Sequence, residues 1–292
     1  MKLSVFYDHI TQAAKQSGKG IEEILKEVRA TGIEAVEMHL ACLLETEEIF
    51  GQLKAADLKI SCIYEFFSME SCDETQKVKQ LMETAGTVQA EKVLVVPGFV
   101  SEEEKEDMQA CMKDYDKVSA FMEGNDKVLH MAEGLSYAVK LGAEKGITVT
   151  VEDFDDNKSP LSGMNGIRWF LNRIPELQYT FDMGNFVGNE EDVLVAWELL
   201  KDRIAHVHCK DRGDEAAKIQ ALECGVPSIN RGLASVAVGD GYLPIAELIR
   251  RLRTIGYDDY LAIEHFDAPN QELCIKKSAE FLQKQYAKEE TC

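Results

Sequence analysis

The sequence predicts a single (β/α)8 barrel over residues 1–292, and three observations carry that expectation. Short β-type runs alternate with helical patterns from one end of the chain to the other. No Pro-, Gly- or Ser-rich linker separates two halves, and 292 residues are enough for one large barrel. Four of the later strand runs end in a residue able to bind a metal: Glu152, Asp182, His208 and Glu264. A doubly wound sheet is the competing architecture, but the sequence has neither G-x-G-x-x-G after the first strand nor G-x-x-x-x-G-K-[ST] anywhere.

Leu3 to Tyr7 reads as the first strand. Gly20 to Ala30 reads as a helix because Ile21, Ile24, Leu25 and Val28 recur at helical spacing, and Gly32 stops it. Glu34 to Met38 is the second strand, Leu44 to Ala56 a helix with Ile49 and Leu53 on one side, and Leu58 to Tyr64 the third strand. Asp73 to Ala90 opens on a capping signature, carries Val78, Leu81, Met82 and Ala85 on one face, and leads to the strand Lys92 to Val96. Ser101 to Glu123 contains Glu102-Glu103-Glu104 and reads as a solvated face or a lid over the fourth strand end, and Lys127 to Lys145 is a helix stopped by Gly146.

Ile147 to Glu152 and Leu177 to Asp182 are strands five and six, with a helix around Asn165 to Ile174 between them. Glu190 to Leu200 is helical, and Ile204 to Asp211 is strand seven. From His208 to Glu264 is 56 residues, against 30 from Glu152 to Asp182 and 26 from Asp182 to His208. The extra length falls in Asp211 to Tyr242, whose glycines, Gly225, Gly232, Gly239 and Gly241 among them, and lack of periodicity predict a loop over the site. Leu243 to Ile255 is a helix capped by Gly256, Tyr260 to Glu264 is strand eight, and Asn270 to Ala287 is the last helix.

A formal net charge of −20 disfavours nucleic acid, whose binding is built from Lys and Arg. No apolar run approaches the roughly 20 residues of a membrane span, and the N-terminus lacks a secretory pattern, so a cytoplasmic protein without a membrane partner is expected. Eight scattered cysteines with no C-x-x-C pair read as reduced thiols.

In strand seven His206, His208 and Lys210 share a face by alternation, while Val207 and Cys209 take the other. Each carboxylate at a strand end has a plain alternative role as a helix cap. The convergence of strands five to eight on one barrel mouth argues against that, because three carboxylates together repel unless a divalent cation neutralises them. Oxygen-rich ligation with one imidazole suits Mn²⁺, Mg²⁺ or Co²⁺ better than Zn²⁺. Glu152 and Glu264 would flank a bound sugar or polyol and exchange a proton with it on opposite faces. Lys210 would hold a substrate oxygen, with a salt bridge to a loop acid as its alternative, and His206 would orient its neighbours. His9 could reach the mouth or be a solvated loop histidine, and Glu37 and Glu65 are weaker candidates of the same kind.

The strand tips Val151-Glu152-Asp153, Phe181-Asp182-Met183-Gly184-Asn185 and His206-Val207-His208-Cys209-Lys210-Asp211, with Gly256-Tyr257-Asp258 before Ile263-Glu264, resemble the xylose isomerase-like superfamily of sugar phosphate isomerases and epimerases. The resemblance implies metal ligation by Glu152, Asp182, His208 and Glu264, with the two glutamates carrying the proton, and a sugar isomerase or epimerase acting through an enediolate. Asn185 stands where ketose 3-epimerases place a histidine, and with Lys210, His9 and Glu65 it completes the expected substrate contacts. The His-x-Lys-Asp end of strand seven is similar to that of inosose dehydratases, so a lyase on a cyclic polyol stays open, as do a non-catalytic metal-containing binding subunit and a homo-oligomer. Endonuclease IV, on the same scaffold, needs more histidines than the six present here.

Overall fold

The computed structural model describes residues 1–45, 48–214, 216, 219 and 233–287. Among them lie nine strands: β1 (Lys2–Phe6), β2 (Ala35–His39), β3 (Lys59–Phe66), β4 (Lys92–Val96), β5 (Thr148–Glu152), β6 (Gln178–Asp182), β7 (Ile204–Gly213), β8 (Ala234–Val236) and β9 (Tyr260–Glu264). The order β6-β5-β4-β3-β2-β1-β9-β7, with β6 also beside β7, is that of a closed eight-stranded parallel barrel, and β8 pairs antiparallel with the end of β7. The eighth barrel strand is therefore β9. Twelve described helices accompany the strands: α1 (Tyr7–Ser17), α2 (Ile21–Ala30), α3 (Leu40–Glu45), α4 (Glu48–Ala55), α5 (Thr75–Val88), α6 (Glu102–Cys111), α7 (Tyr115–Glu123), α8 (Asp126–Lys145), α9 (Met164–Arg173), α10 (Val193–Leu200), α11 (Ile245–Thr254) and α12 (Gln271–Ala287). None is long and apolar enough to cross a membrane.

The described chain divides into two compact units, residues 1–61 with 207–292, and residues 62–206. In the first, β1 pairs with β2 in the register Ser4↔Ala35 and with β9 in the register Lys2↔Tyr260. β9 in turn pairs with β7, placing Lys210 opposite Glu264. Parallel strands covered on both faces read as continuous apolar runs, and Val5, Val36, Met38 and Ile263 are fully buried. α1 starts directly after β1, whereas the sequence reading continued the strand through Tyr7. Phe6 occupies the cap position without a side-chain cap, so the usual polar start signal is missing, although Ile10, Ala13 and Ala14 are buried at helical spacing. The expected helix Leu44 to Ala56 is two shorter ones, α3 and α4, and residues 46–47 lie outside the described residues.

The expected loop Asp211 to Tyr242 holds part of β7 and the short β8, paired as Asp211↔Val236 to Gly213↔Ala234. Three residues are too few to show a period, and 215, 217–218 and 220–232 lie outside the described residues. The return segment is fastened by Asp211, whose carboxylate accepts N–H groups from Arg212 at 2.9 Å, Gly239 at 2.9 Å, Gly241 at 3.0 Å and Leu243 at 3.3 Å. A Cβ on Gly241 would lie 2.1 Å from that carboxylate, so only glycine admits the approach.

In the second unit β3 pairs with β4, β4 with β5 and β5 with β6, all parallel. The acidic Ser101 to Glu123 segment forms two amphipathic helices that bury Met108, Val118 and Met122 completely, so it is a packed face and no free lid. Its entry is a capping box: Glu104 accepts from Ser101 N–H at 2.8 Å and Ser101 Oγ at 2.7 Å. α10 lays Trp197 edge-on against Phe181 of β6, ring centroids 5.7 Å apart, and Phe181 contacts Phe186 and Tyr179. Such rings carry much of the unit's burial energy, and Trp197→Ala would cost about 3–5 kcal/mol.

Candidate metal centre

In the first unit three strand ends bring charged side chains together out of water. β7 carries His208 and Lys210 on one face, as alternation requires, and β9 ends in Glu264. Lys210 Nζ lies 2.6 Å from Glu264 Oε1, and His208 Nδ1 lies 3.1 Å from Glu264 Oε2. The imidazole's other nitrogen, Nε2, lies 3.2 Å from both carboxylate oxygens of Glu37, at 0% exposure on β2. Phe6 closes on the ring edge-on, centroids 5.0 Å apart. Burial alone would raise the Glu264 carboxyl, but the Lys210 ammonium and the His208 imidazole hold it well below the usual carboxylate range. Glu264 therefore stays ionised.

His9 is a fully buried residue of α1, and the solvated loop position expected from the sequence is wrong. Its ring stacks on that of His265 with centroids 4.5 Å apart, and its Nε2 accepts the His265 N–H at 2.9 Å. Burial, and then the neighbouring His265, push His9 well below the ordinary imidazole range, and burial pushes His265 to about 4. Both rings are neutral at physiological pH.

In the second unit the ends of β5 and β6 carry Glu152, Asp153 and Asp182, all buried. Asp153 ties the two strands: its Oδ1 accepts the Tyr179 hydroxyl and, at 3.0 Å, the Asp182 N–H. Asp182 Oδ1 accepts the Gly184 N–H at 2.6 Å, and one layer below, Thr180 donates to Thr150 at 2.8 Å. Burial, then the charge of Asp182, push the Asp153 carboxyl well above its ordinary range, and burial does the same to Tyr179. The pair acts as a rigid tie that fixes where Glu152 and Asp182 point.

The remaining sequence candidates have partners of their own. Asn185 Nδ2 donates to the Asp153 carbonyl at 2.7 Å, and Glu65 pairs with Lys77 at 3.0 Å while accepting the Phe66 N–H at 2.9 Å. Lys210 pairs with a strand glutamate, where the sequence reading offered a loop acid. His206 and Cys209 are both fully buried on β7. Two roles were not assigned from sequence: the contact of Glu37 with His208, and the Asp153–Tyr179 tie. The Glu-Asp doublet at the end of strand five was a signal for the second, and a buried glutamate inside Ala-Val-Glu-Met-His a signal for the first.

Buried groups that combine carboxylates with an imidazole can hold a metal ion. The family model described as xylose isomerase-like TIM barrel matches residues 25–285, and the chain belongs to that family. Among solved structures it is similar to the probable 3-DHS dehydratase AsbF of Bacillus anthracis, with 17% identity over 97% of this chain and 99% of that one and a TM-score of 0.70. It is also similar to the D-allulose 3-epimerase of Methylomonas sp., with 12% identity over 98% of each chain and a TM-score of 0.66. A third is a sugar phosphate isomerase/epimerase of Parabacteroides distasonis, with 14% identity over 97% and 95% and a TM-score of 0.62. Among curated proteins none matches this chain in sequence.

Proposed function

We propose that Glu152, Asp182, His208 and Glu264 hold one divalent cation, Mn²⁺, Mg²⁺ or Co²⁺ in preference to Zn²⁺, and that the protein isomerises or epimerises a ketose or related polyhydroxy carbonyl compound. One observation carries the reading: all four residues are buried on barrel strands, with His208 Nδ1 3.1 Å from Glu264 Oε2 in the first unit, and Glu152 and Asp182 at the ends of the paired strands β5 and β6 in the second. The donor set fits such an ion, with three hard carboxylates and one imidazole. When bound, the ion would neutralise the carboxylates and acidify the C–H beside a substrate carbonyl.

The other roles belong to the chain's own groups. Glu264, held ionised by Lys210, takes the proton on one side of the reacting carbon, and Glu152 returns one on the other. Lys210 Nζ holds a substrate oxygen beside Glu264. Glu37 orients His208 through Nε2, leaving Nδ1 as the ligand atom. The six described cysteines are free, which supports a reducing, cytoplasmic setting.

A second reading has its own observation. An ammonium 2.6 Å from the candidate base is placed to protonate a departing hydroxyl, which dehydration of a cyclic polyol needs and epimerisation does not. Turnover in deuterated water with product mass spectrometry separates them. Isomerisation or epimerisation exchanges one C–H and leaves the mass otherwise unchanged, whereas dehydration loses water. Glu152→Gln and Glu264→Gln should each fold and abolish turnover, and activity retained in both would refute the two-carboxylate mechanism.

A further inference from the structure

In the first unit α1, α2 and α12 enclose a cleft of about 860 Å³, within the size range of small-molecule sites. Its floor is apolar. Ala13, Ile24, Val28 and Ile275 line it and are themselves at most 3% exposed, and Leu273 lines it with 48% of its surface open. None of these side chains belongs to the candidate metal centre.

Polar ties fix the walls at both ends. Gln16 of α1 donates through Nε2 to Ala268 O at 3.1 Å and accepts the Gln271 N–H at 2.8 Å, which pins α1 to the start of α12. Further along α12, Gln283 donates to Thr31 O at 2.6 Å, just past the end of α2. A Cβ on Gly32, whose φ is +87°, would lie 2.2 Å from that Gln283 amide nitrogen, so the close passage there needs glycine. With its ends tied in this way the cleft is shaped before any ligand arrives, which lowers the cost of binding.

Glu27 decides what the cleft can take. Its Oε1 accepts Lys19 Nζ at 2.7 Å, whereas its Oε2 is shielded from water and has no hydrogen-bond partner among the described residues. An unmet carboxylate oxygen is costly, and Lys19 is already shared with Glu272 at 3.0 Å. Three carboxylates line the cleft, those of Glu27, Glu272 and Glu280, against one lysine, Lys276. Acid still exceeds base when Lys19 is counted, on a chain of net charge −20. A positively charged donor answers the carboxylate, and an apolar body behind it covers the floor; water answers only the first.

We propose that the cleft between α1, α2 and α12 binds a small primary alkylammonium compound, its N–H donated to Glu27 Oε2 and its hydrocarbon lying on Ile24, Val28 and Leu273. The site does not depend on the metal reading. Calorimetry on the intact chain tests it with hexylammonium, hexan-1-ol and hexanoate, in about 0.15 M NaCl to screen diffuse attraction to an acidic surface.

Hexylammonium should bind one equivalent with a dissociation constant of about 1 mM or tighter, and the alcohol and the carboxylate at least about tenfold more weakly. Glu27→Gln, which keeps the shape and removes the charge, should weaken hexylammonium about tenfold. Leu273→Ser, at an exposed position, should fold like the parent and weaken it about threefold. No saturation by hexylammonium at about 10 mM, the alcohol bound as tightly, or both variants binding hexylammonium unchanged would each overturn the assignment. Should Glu27→Gln fail to fold, the ranking of the three probes and the Leu273→Ser result still decide it.

Discussion

Glu104 offers a stability test that is independent of any ligand. Its carboxylate accepts from Ser101 N–H and Oγ, from Asn125 Nδ2 at 2.9 Å and from Lys127 Nζ at 2.7 Å, joining the start of α6 to the start of α8. Burial works to raise this carboxyl, but the hydrogen bonds from Lys127, Ser101 and Asn125 win and bring it from 4.5 to about 2. A folded-state value below the unfolded one means stabilisation that is complete above the unfolded value and is lost as pH falls through the folded one. The whole interval corresponds to about 3 kcal/mol. With 30% of the side chain open to water, screening reduces the expected effect to about 1–2 kcal/mol. Urea unfolding of Glu104→Gln against the parent should show that loss at pH 7 and less than half of it at about pH 3, where the unfolded parent has already taken up the proton that the folded one still resists. A difference that stays constant with pH, or one below about 0.5 kcal/mol at pH 7, would refute the reasoning.

Two further outcomes follow from single contacts. Glu37→Gln, which keeps the shape but removes the charge facing His208 Nε2, should weaken Mn²⁺ binding about 10- to 100-fold by calorimetry without lowering the melting temperature of the metal-free protein. Gly241→Ala would drive a methyl into the Asp211 carboxylate and the Arg212 carbonyl, and should cost about 1–3 kcal/mol in thermal unfolding.

The barrel was legible because each βα unit announces itself locally. Lys92 to Val96 is a run of apolar β-formers between a helix end and Pro97-Gly98, and its bounds in the structure are those read from the sequence. The strand ends at Glu152, Asp182 and Glu264 were equally plain, because a single charge closing an apolar run stands out. Elements that lack a local signal were lost. α1 begins without a cap, β8 exists only through its pairing with β7, and His9 is buried by a partner 256 residues away. The contact of Glu37 with His208 spans 171 residues, and the local pattern marks the glutamate but not its partner. Pairing of this kind is a property of the folded barrel, where strands distant in sequence place their ends side by side.

The claim on which the functional account depends is that His208 faces a divalent ion while its chain neighbour faces away. Mn²⁺ titration by calorimetry on the parent, His208→Ala and Cys209→Ala puts that to the test, both replaced side chains being fully buried on one strand. The account predicts one ion per chain in the parent and in Cys209→Ala, and a loss of at least about tenfold in affinity in His208→Ala alone. Equal loss in both variants, or no loss in His208→Ala, would contradict it.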